Sequence, residues 1–412
     1  MGLRRRGRAP VNQAQPVWNS LIGQEVAVAK LSDAARSARR ILAAQGTGAE
    51  RIDADRSAMS HAWLITGPPG SGRSNAAKAF AAALQCVGEE PGCGVCPGCR
   101  TTMLETNGDV HFVRTQKTII SVDSARGLVN RAQASPSQGR WRVILIEDAD
   151  RLNEQAANAL LKAIEEPPER TVWLLCAPSS EDMIQTIRSR CRHLVLRIPS
   201  VHAVAKLLMQ EGIADEATAL EAARAAQSHI GRARGLAKDP EARRHRRDII
   251  TAPAKVRSVG EAVFAAENLW KTAKADADAR TKETDARERA ELLRVLGLEE
   301  SAQSTRIARA QLRQLEEEQK RRSRRALTDE LDRALVDLLS IYRDVLMIQL
   351  NADQELINSD LADLVHELAQ ESTPRQTMTR VSAIEQARRR LLGNGQAQLV
   401  LEAMTVSLRP WA

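Results

Sequence analysis

Between residues 17 and 199, short apolar runs alternate with stretches whose apolar residues recur every three or four positions. The runs Ala62–Thr66, Val110–Arg114, Arg142–Ile146, Thr171–Ala177 and His193–Arg197 predict five strands. The third and fourth are nearly unbroken, as central parallel strands buried on both faces must be. This strand–helix rhythm is that of a parallel sheet covered by helices. After Pro199 the strand pattern stops. Val201–Glu211 and Glu216–Gln227 read as short helices, followed by Gly231-Arg232-Ala233-Arg234-Gly235. Beyond about residue 248 the periodicity is helical throughout. Leu331, Leu335, Leu338, Leu339, Tyr342, Val345 and Leu346 form an apolar stripe that predicts a packed helix.

One stretch departs from this pattern. Residues from about 272 to 325 are polar and charged, and Glu316-Glu317-Glu318 shortly precede an arginine cluster at 321–325. They predict a long exposed helical hairpin or a poorly ordered insertion, outside any core. The expected organisation is therefore a basic, disordered tail (1–16), an α/β domain (17–199), a small helical segment (200–247) and a C-terminal helical domain (248–412) carrying the charged insertion.

Composition refines this only slightly. At about 150 residues per domain, 412 residues give roughly two to four domains. Hydrophobic residues make up 43%, enough for real cores, but aromatics only 2%, so those cores must be aliphatic. The net charge of +8 is concentrated in Arg4, Arg5, Arg6 and Arg8 and in the 321–325 cluster. It suits work near nucleic acid, and equally a solvated arginine-rich surface. No apolar run reaches the ~18 residues of a membrane span, and no hydrophobic segment follows the N-terminal arginines. A cytoplasmic protein without a disulfide framework is expected.

Three groups of residues carry chemistry. The segment Gly67-Pro68-Pro69-Gly70-Ser71-Gly72-Arg73-Ser74 lies between an apolar strand and the helix-forming run Asn75–Leu84. Its glycines, Gly67, Gly70 and Gly72, would let backbone N–H groups face phosphates, and Ser74 would reach Mg²⁺. The spacing calls for lysine where Arg73 stands. A planar guanidinium on a longer stem does not reproduce lysine's compact charge. Downstream, Val143–Ile146 delivers Glu147 and Asp148 to the carboxyl end of a strand, the edge at which open α/β sheets bind ligands. Alone, that pair could be an exposed acidic strand end. The second group is Cys86, Cys93, Cys96 and Cys99, interleaved with Gly92, Gly94, Pro97 and Gly98. Four thiolates in a turn-rich loop suit a closed, tetrahedral, structural Zn²⁺ site. Cys176, inside a strand, reads as core. The third is Ser189-Arg190-Cys191, whose arginine by itself would be an ordinary surface residue.

Together these residues resemble the clamp-loader branch of the AAA+ ATPases, the ring-opening machinery of bacterial DNA polymerase III. Leu21-Ile22-Gly23-Gln24-Glu25 looks like the family's opening motif, and the run Asn158–Pro168 (NALLKAIEEPP) is nearly diagnostic. The cysteine insertion after the first helix, the Ser189-Arg190-Cys191 triplet and the stretch from Asn394 to Glu402 match as well. The resemblance covers residues 17–250 firmly and the C-terminal helices more loosely. It implies a nucleotide-binding-like domain, a helical lid and a collar domain. It makes Arg190 an arginine finger and puts Arg234 at the second-sensor position. The departures are Arg73, an acidic pair in the order Glu147-Asp148 where Asp-Glu is usual, and Ala177-Pro178 in place of a polar first sensor. They resemble the δ′ class, a rigid ring member that lends its finger to a neighbour's ATP without hydrolysing ATP itself. The implied partners are γ/τ and δ subunits in a five-membered ring, the sliding clamp and primer-template DNA. ATP and Mg²⁺ binding without hydrolysis is compatible with the retained glycines and Ser74. A γ/τ-type motor is the alternative within the family, and a non-replicative AAA+ regulator the alternative outside it.

Overall fold

The computed structural model describes residues 16–47, 58–115, 119–296, 306–393 and 395–410. The basic tail with Arg4, Arg5, Arg6 and Arg8, and Asn394 at the head of the C-terminal motif, lie outside these. The chain divides into two compact units. One runs up to Leu207 and includes Ser228–Gly231; the other comprises Leu208–Gln227 and the chain from Arg232 onward.

The first unit is built on a parallel five-stranded sheet: β1 (Ala62–Thr66), β2 (Val110–Val113), β3 (Arg142–Ile146), β4 (Thr171–Ala177) and β5 (Arg192–Val195), in the order β2-β3-β4-β1-β5. This is the parallel sheet that the alternation of strands and helices predicts. Both of its faces are covered, which explains the uninterrupted apolar strands. Trp63, Ile65, Val143, Leu145, Leu174 and Cys176 pack on one face, with helices Glu25–Thr47 and Arg73–Leu84. Leu64, Ile144, Ile146, Trp173 and Leu175 pack on the other, with helices Val122–Gln133 and Glu154–Glu165. Strand neighbours thus alternate between two cores, as the pleat dictates. Burial raises the thiol of Cys176 to about 12, in keeping with a core role. Three strand ends differ from expectation. β2 stops before Arg114, whose guanidinium engages Glu105 and Glu147, and β5 begins one residue early, at Arg192, and ends two residues short, at Val195.

The second unit is all helical. Helices Val259–Val295 and Arg306–Gln349 run antiparallel: Asp278 meets Ser323, Arg322 reaches Asp285 and Glu288, and Arg289 reaches Glu316. The charged stretch is therefore the outer part of two continuous helices zipped by ion pairs, with the small residues Ala273, Ala277 and Ala326 buried. Nearer the core, Leu331, Leu335, Leu338, Tyr342 and Val345 pack against Ile250, Leu269, Val365, Ile384 and Leu401. Within this core lies a polar knot. The Arg246 guanidinium donates to Asp337 (3.2 Å) and Asn358 (2.6 Å), and the Asn358 backbone N–H donates to Asp344 (2.8 Å).

One buried carboxylate shows how the sheet is fastened. Asp109, fully buried just before β2, accepts from the backbone N–H groups of Ser137 (2.8 Å), Gln138 (2.8 Å) and Gly139, with Arg142 at 3.2 Å. Burial alone would raise its pKa. The converging donors outweigh that and lower it. Its contribution to stability is then present above the ordinary carboxylate range and lost as pH falls through the depressed pKa. Asp109→Ala, which strands these donors, should cost about 3–5 kcal/mol in denaturant unfolding and flatten the acid limb of the stability profile. An unfolding midpoint equal to the parent's would contradict this.

Candidate functional site at the carboxyl edge of the sheet

The carboxyl ends of β1 and β4 lie side by side, with Thr66 opposite Ala177. From Thr66 the chain enters the phosphate loop through Gly67. A Cβ on Gly67 would lie 2.6 Å from Ser71 Oγ and 2.9 Å from the Leu196 carbonyl oxygen, so only glycine fits. Gly70 (φ +89°) would bring a Cβ within 3.1 Å of the backbone of His229. Gly72 (φ +87°) precedes helix Arg73–Leu84, whose first turn has no side-chain cap. Those backbone donors are available to an anion.

Part of the loop's backbone is engaged by the chain itself, although the buried Ser71 hydroxyl has no partner. Gly67 N–H donates to the Pro178 carbonyl (3.2 Å), and Arg73 Nη1 donates to the Gly67 carbonyl (2.8 Å). The residue standing in lysine's place is thus directed at the loop's own backbone. The cavity lined by Gly70, Gly72, Arg73, Ser74, His229 and Gly231 measures about 180 Å³, below the ~300–1,000 Å³ usual for small-molecule sites. Gln24, buried, donates to the carbonyls of Ser71 (3.4 Å) and Arg197 (2.5 Å) and accepts from Arg197 N–H (3.2 Å), tying the loop to the exit of β5.

The acidic pair is engaged as well. Glu147 takes Arg114 Nε at 2.7 Å, while the rest of that guanidinium forks onto Glu105 (2.6 and 2.8 Å). Hydrogen bonding from Arg114, then from Lys78, holds Glu105 down at about 2. Asp148 has Arg151 at 3.7 Å.

Arg190 stands elsewhere on this unit. Ile187, fully buried, and Cys191, whose thiol burial raises to about 12, anchor the segment around it. Arg190 itself stays at the surface, with Nε on Glu165 and Nη1 on the Thr186 carbonyl (2.8 Å). In the second unit, Arg234 makes a fork onto Glu211 (2.8 and 2.5 Å).

The four cysteines converge as expected. Their sulfurs all lie within 4.8 Å of one another, and Cys86 and Cys96 are 3.8 Å apart. Bonds of ~2.3 Å to a tetrahedral ion put sulfurs ~3.8 Å apart, so the set can hold a metal. Cys93 Sγ accepts from Cys96 N–H and Cys96 Sγ from Cys99 N–H, both at 3.4 Å. Burial would raise the Cys96 thiol, but the N–H donors of Cys99 and Val87 bring it down to about 6, whereas burial raises the thiols of Cys93 and Cys99. The loop also fastens the start of the fold: Val17 N–H donates to Gly92 O (3.0 Å) and Trp18 Nε1 to Pro91 O (3.0 Å).

Comparison with known proteins agrees with this reading. Residues 50–200 match the family model "DNA polymerase III, delta subunit", and residues 286–408 match its C-terminal counterpart. The subunit delta′ of DNA polymerase III from Bacillus subtilis is 24% identical over 87% of this chain and 93% of its own length. The chain belongs to the δ′ family of DNA polymerase III clamp-loader subunits. The Pseudomonas aeruginosa δ′ is 34% identical over 40% of the chain and 52% of its own length. The gamma/tau subunit of Mycobacterium tuberculosis is 33% identical over 39% of the chain. The match spans 29% of that γ/τ protein and about half of the Pseudomonas relative.

Seen as a δ′-family member, the chain brings Gly67, Gly70, Gly72, Arg73 and Ser74 into one loop and the four cysteines into one cluster. Arg190 lies on another segment of the same unit, and Arg234 belongs to the second unit. Arg114, Glu165, Glu211 and His229 were not singled out from the sequence. They hold the expected residues in place, and no spacing rule marks such partners. Because the cysteine loop pins Val17 and Trp18, removing a bound metal with a chelator should speed amide exchange at Val17 and Cys96 and lower the unfolding temperature by several degrees. Cys99→Ser should do the same without chelator. Exchange and melting unaltered by both treatments would contradict a metal-holding role.

Proposed function

We propose that this chain works in a clamp loader that places a sliding clamp on primed DNA. It stands in a five-membered ring with γ/τ-type and δ subunits in the cytoplasm, and supplies Arg190 to the ATP of a neighbour. The observation that carries the reading is a contrast. Arg73, at the key position of the chain's own phosphate loop, is spent on the Gly67 carbonyl, whereas Arg190 is held at the surface by an anchored segment. A guanidinium supplied across an interface stabilises charge spreading over the transferring phosphoryl group and is worth about 10³–10⁵ in rate. The same reading takes the cysteine-held ion to be structural Zn²⁺ and divides the chain into a nucleotide-binding-like domain (17–199), a lid (200–247) and a collar domain (248–412). Arg234, Glu147 and Asp148 are then remnants of a nucleotide site that can bind ATP and Mg²⁺ without splitting ATP.

A second reading, a γ/τ-type motor, is favoured by the retained loop glycines and Ser74 and by the similarity to γ/τ sequences. One reconstitution separates the two. In a loader assembled with each variant, Arg190→Ala should lower turnover at the served site by about 10³-fold, while Ser74→Ala leaves it unchanged. Turnover that survives Arg190→Ala and falls with Ser74→Ala would establish the motor reading instead.

A further inference from the structure

Arg190 is fixed by more than its own segment. The helix Glu154–Glu165 starts at Asn153, whose side chain caps Ala156 N–H (2.8 Å), and stops before Pro167-Pro168. The prolines cannot continue a helix and restrict the residue before them, so Glu165 is set at the last helical position. A carboxylate is electrostatically misplaced there, because a helix C-terminus favours cations. Yet Glu165 and Glu166 both stand at that end. The last turn carries Lys162, and Arg190 brings a second cation from another segment directly onto Glu165. Its Nε donates to Glu165, and its Nη1 to the Thr186 carbonyl (2.8 Å) and Ser189 Oγ (3.2 Å). Nη2 has no hydrogen-bond partner among the described residues and the side chain is 35% exposed, so that edge of the guanidinium is left unengaged. An isolated ion pair this exposed would add little to stability. Its effect is on geometry: a long side chain with many rotamers is held in one orientation before it meets a ligand.

We infer that Glu165 is a positioning residue for Arg190, holding Nε so that the Nη2 edge is presented to an anionic oxygen outside this chain. The inference rests on reading Arg190 as a finger, and two measurements keep the two claims apart. In the isolated chain, the Arg190 Nε–H resonance should be protected from exchange in the parent and in Glu165→Gln, which keeps an acceptor, and unprotected in Glu165→Ala. In the reconstituted loader, Glu165→Ala should lower kcat on the order of 10-fold at unchanged KM and unchanged assembly, as small misplacements of a reacting group do. Glu165→Gln should recover most of the loss, and Glu165→Ala combined with Arg190→Ala should be no worse than Arg190→Ala alone. An unprotected Nε–H in the parent overturns the positioning. So does Glu165→Ala turnover equal to or above the parent's while Arg190→Ala is impaired; a rise would make Glu165 a latch. If Arg190→Ala itself turns over normally, the finger reading falls, and the presentation to an outside anion falls with it.

Discussion

A phosphate loop offers its backbone either to a phosphate or to itself. In this chain Gly67 gives its N–H to Pro178 and receives Arg73 at its carbonyl, so the loop is closed by contacts of its own making. The remaining features are arranged around that closure. His229 packs directly on Gly70, Gln24 fastens Ser71 to the end of β5, and Arg114 takes up Glu147. Of these, the Arg114 contact engages an acidic side chain at the carboxyl edge of the sheet, and the others fasten the loop's backbone.

The same economy appears elsewhere in the first unit. The cysteine cluster holds a loop that holds Val17 and Trp18, and Asp109 gathers the turn ahead of β3. Against this frame Arg190 is the exception, a cation fixed at two nitrogens yet left at the surface. On the reading proposed above, a guanidinium held this way is what a ring member serving a neighbour's site requires.

Much of this was legible in the residues. Three of the five strands fall where the apolar runs place them, because a strand buried on both faces admits few polar residues and is bounded sharply by turns. The cysteine cluster was legible because sulfur spacing alone restricts its geometry. The phosphate loop was legible because glycine is demanded at Gly67 and Gly70 by the close approach of Ser71, Leu196 and His229. What stayed hidden were the partners. Nothing in the sequence pairs Arg114 with Glu147, Arg190 with Glu165 or Arg234 with Glu211, since each joins residues 23 to 33 positions apart through tertiary folding. The charged stretch posed a different difficulty. Polar composition alone leaves a hairpin and a loose insertion equally open, and the choice is made by ion pairs between helices, such as Arg322 with Asp285 and Glu288.

The central claim is that the closed loop cannot split ATP. Its most direct test is turnover by the purified chain on its own, with Mg²⁺ and saturating ATP. The account predicts hydrolysis indistinguishable from the buffer blank, unaffected by Arg73→Ala. Steady turnover by the isolated chain that Arg73→Ala abolishes would contradict it.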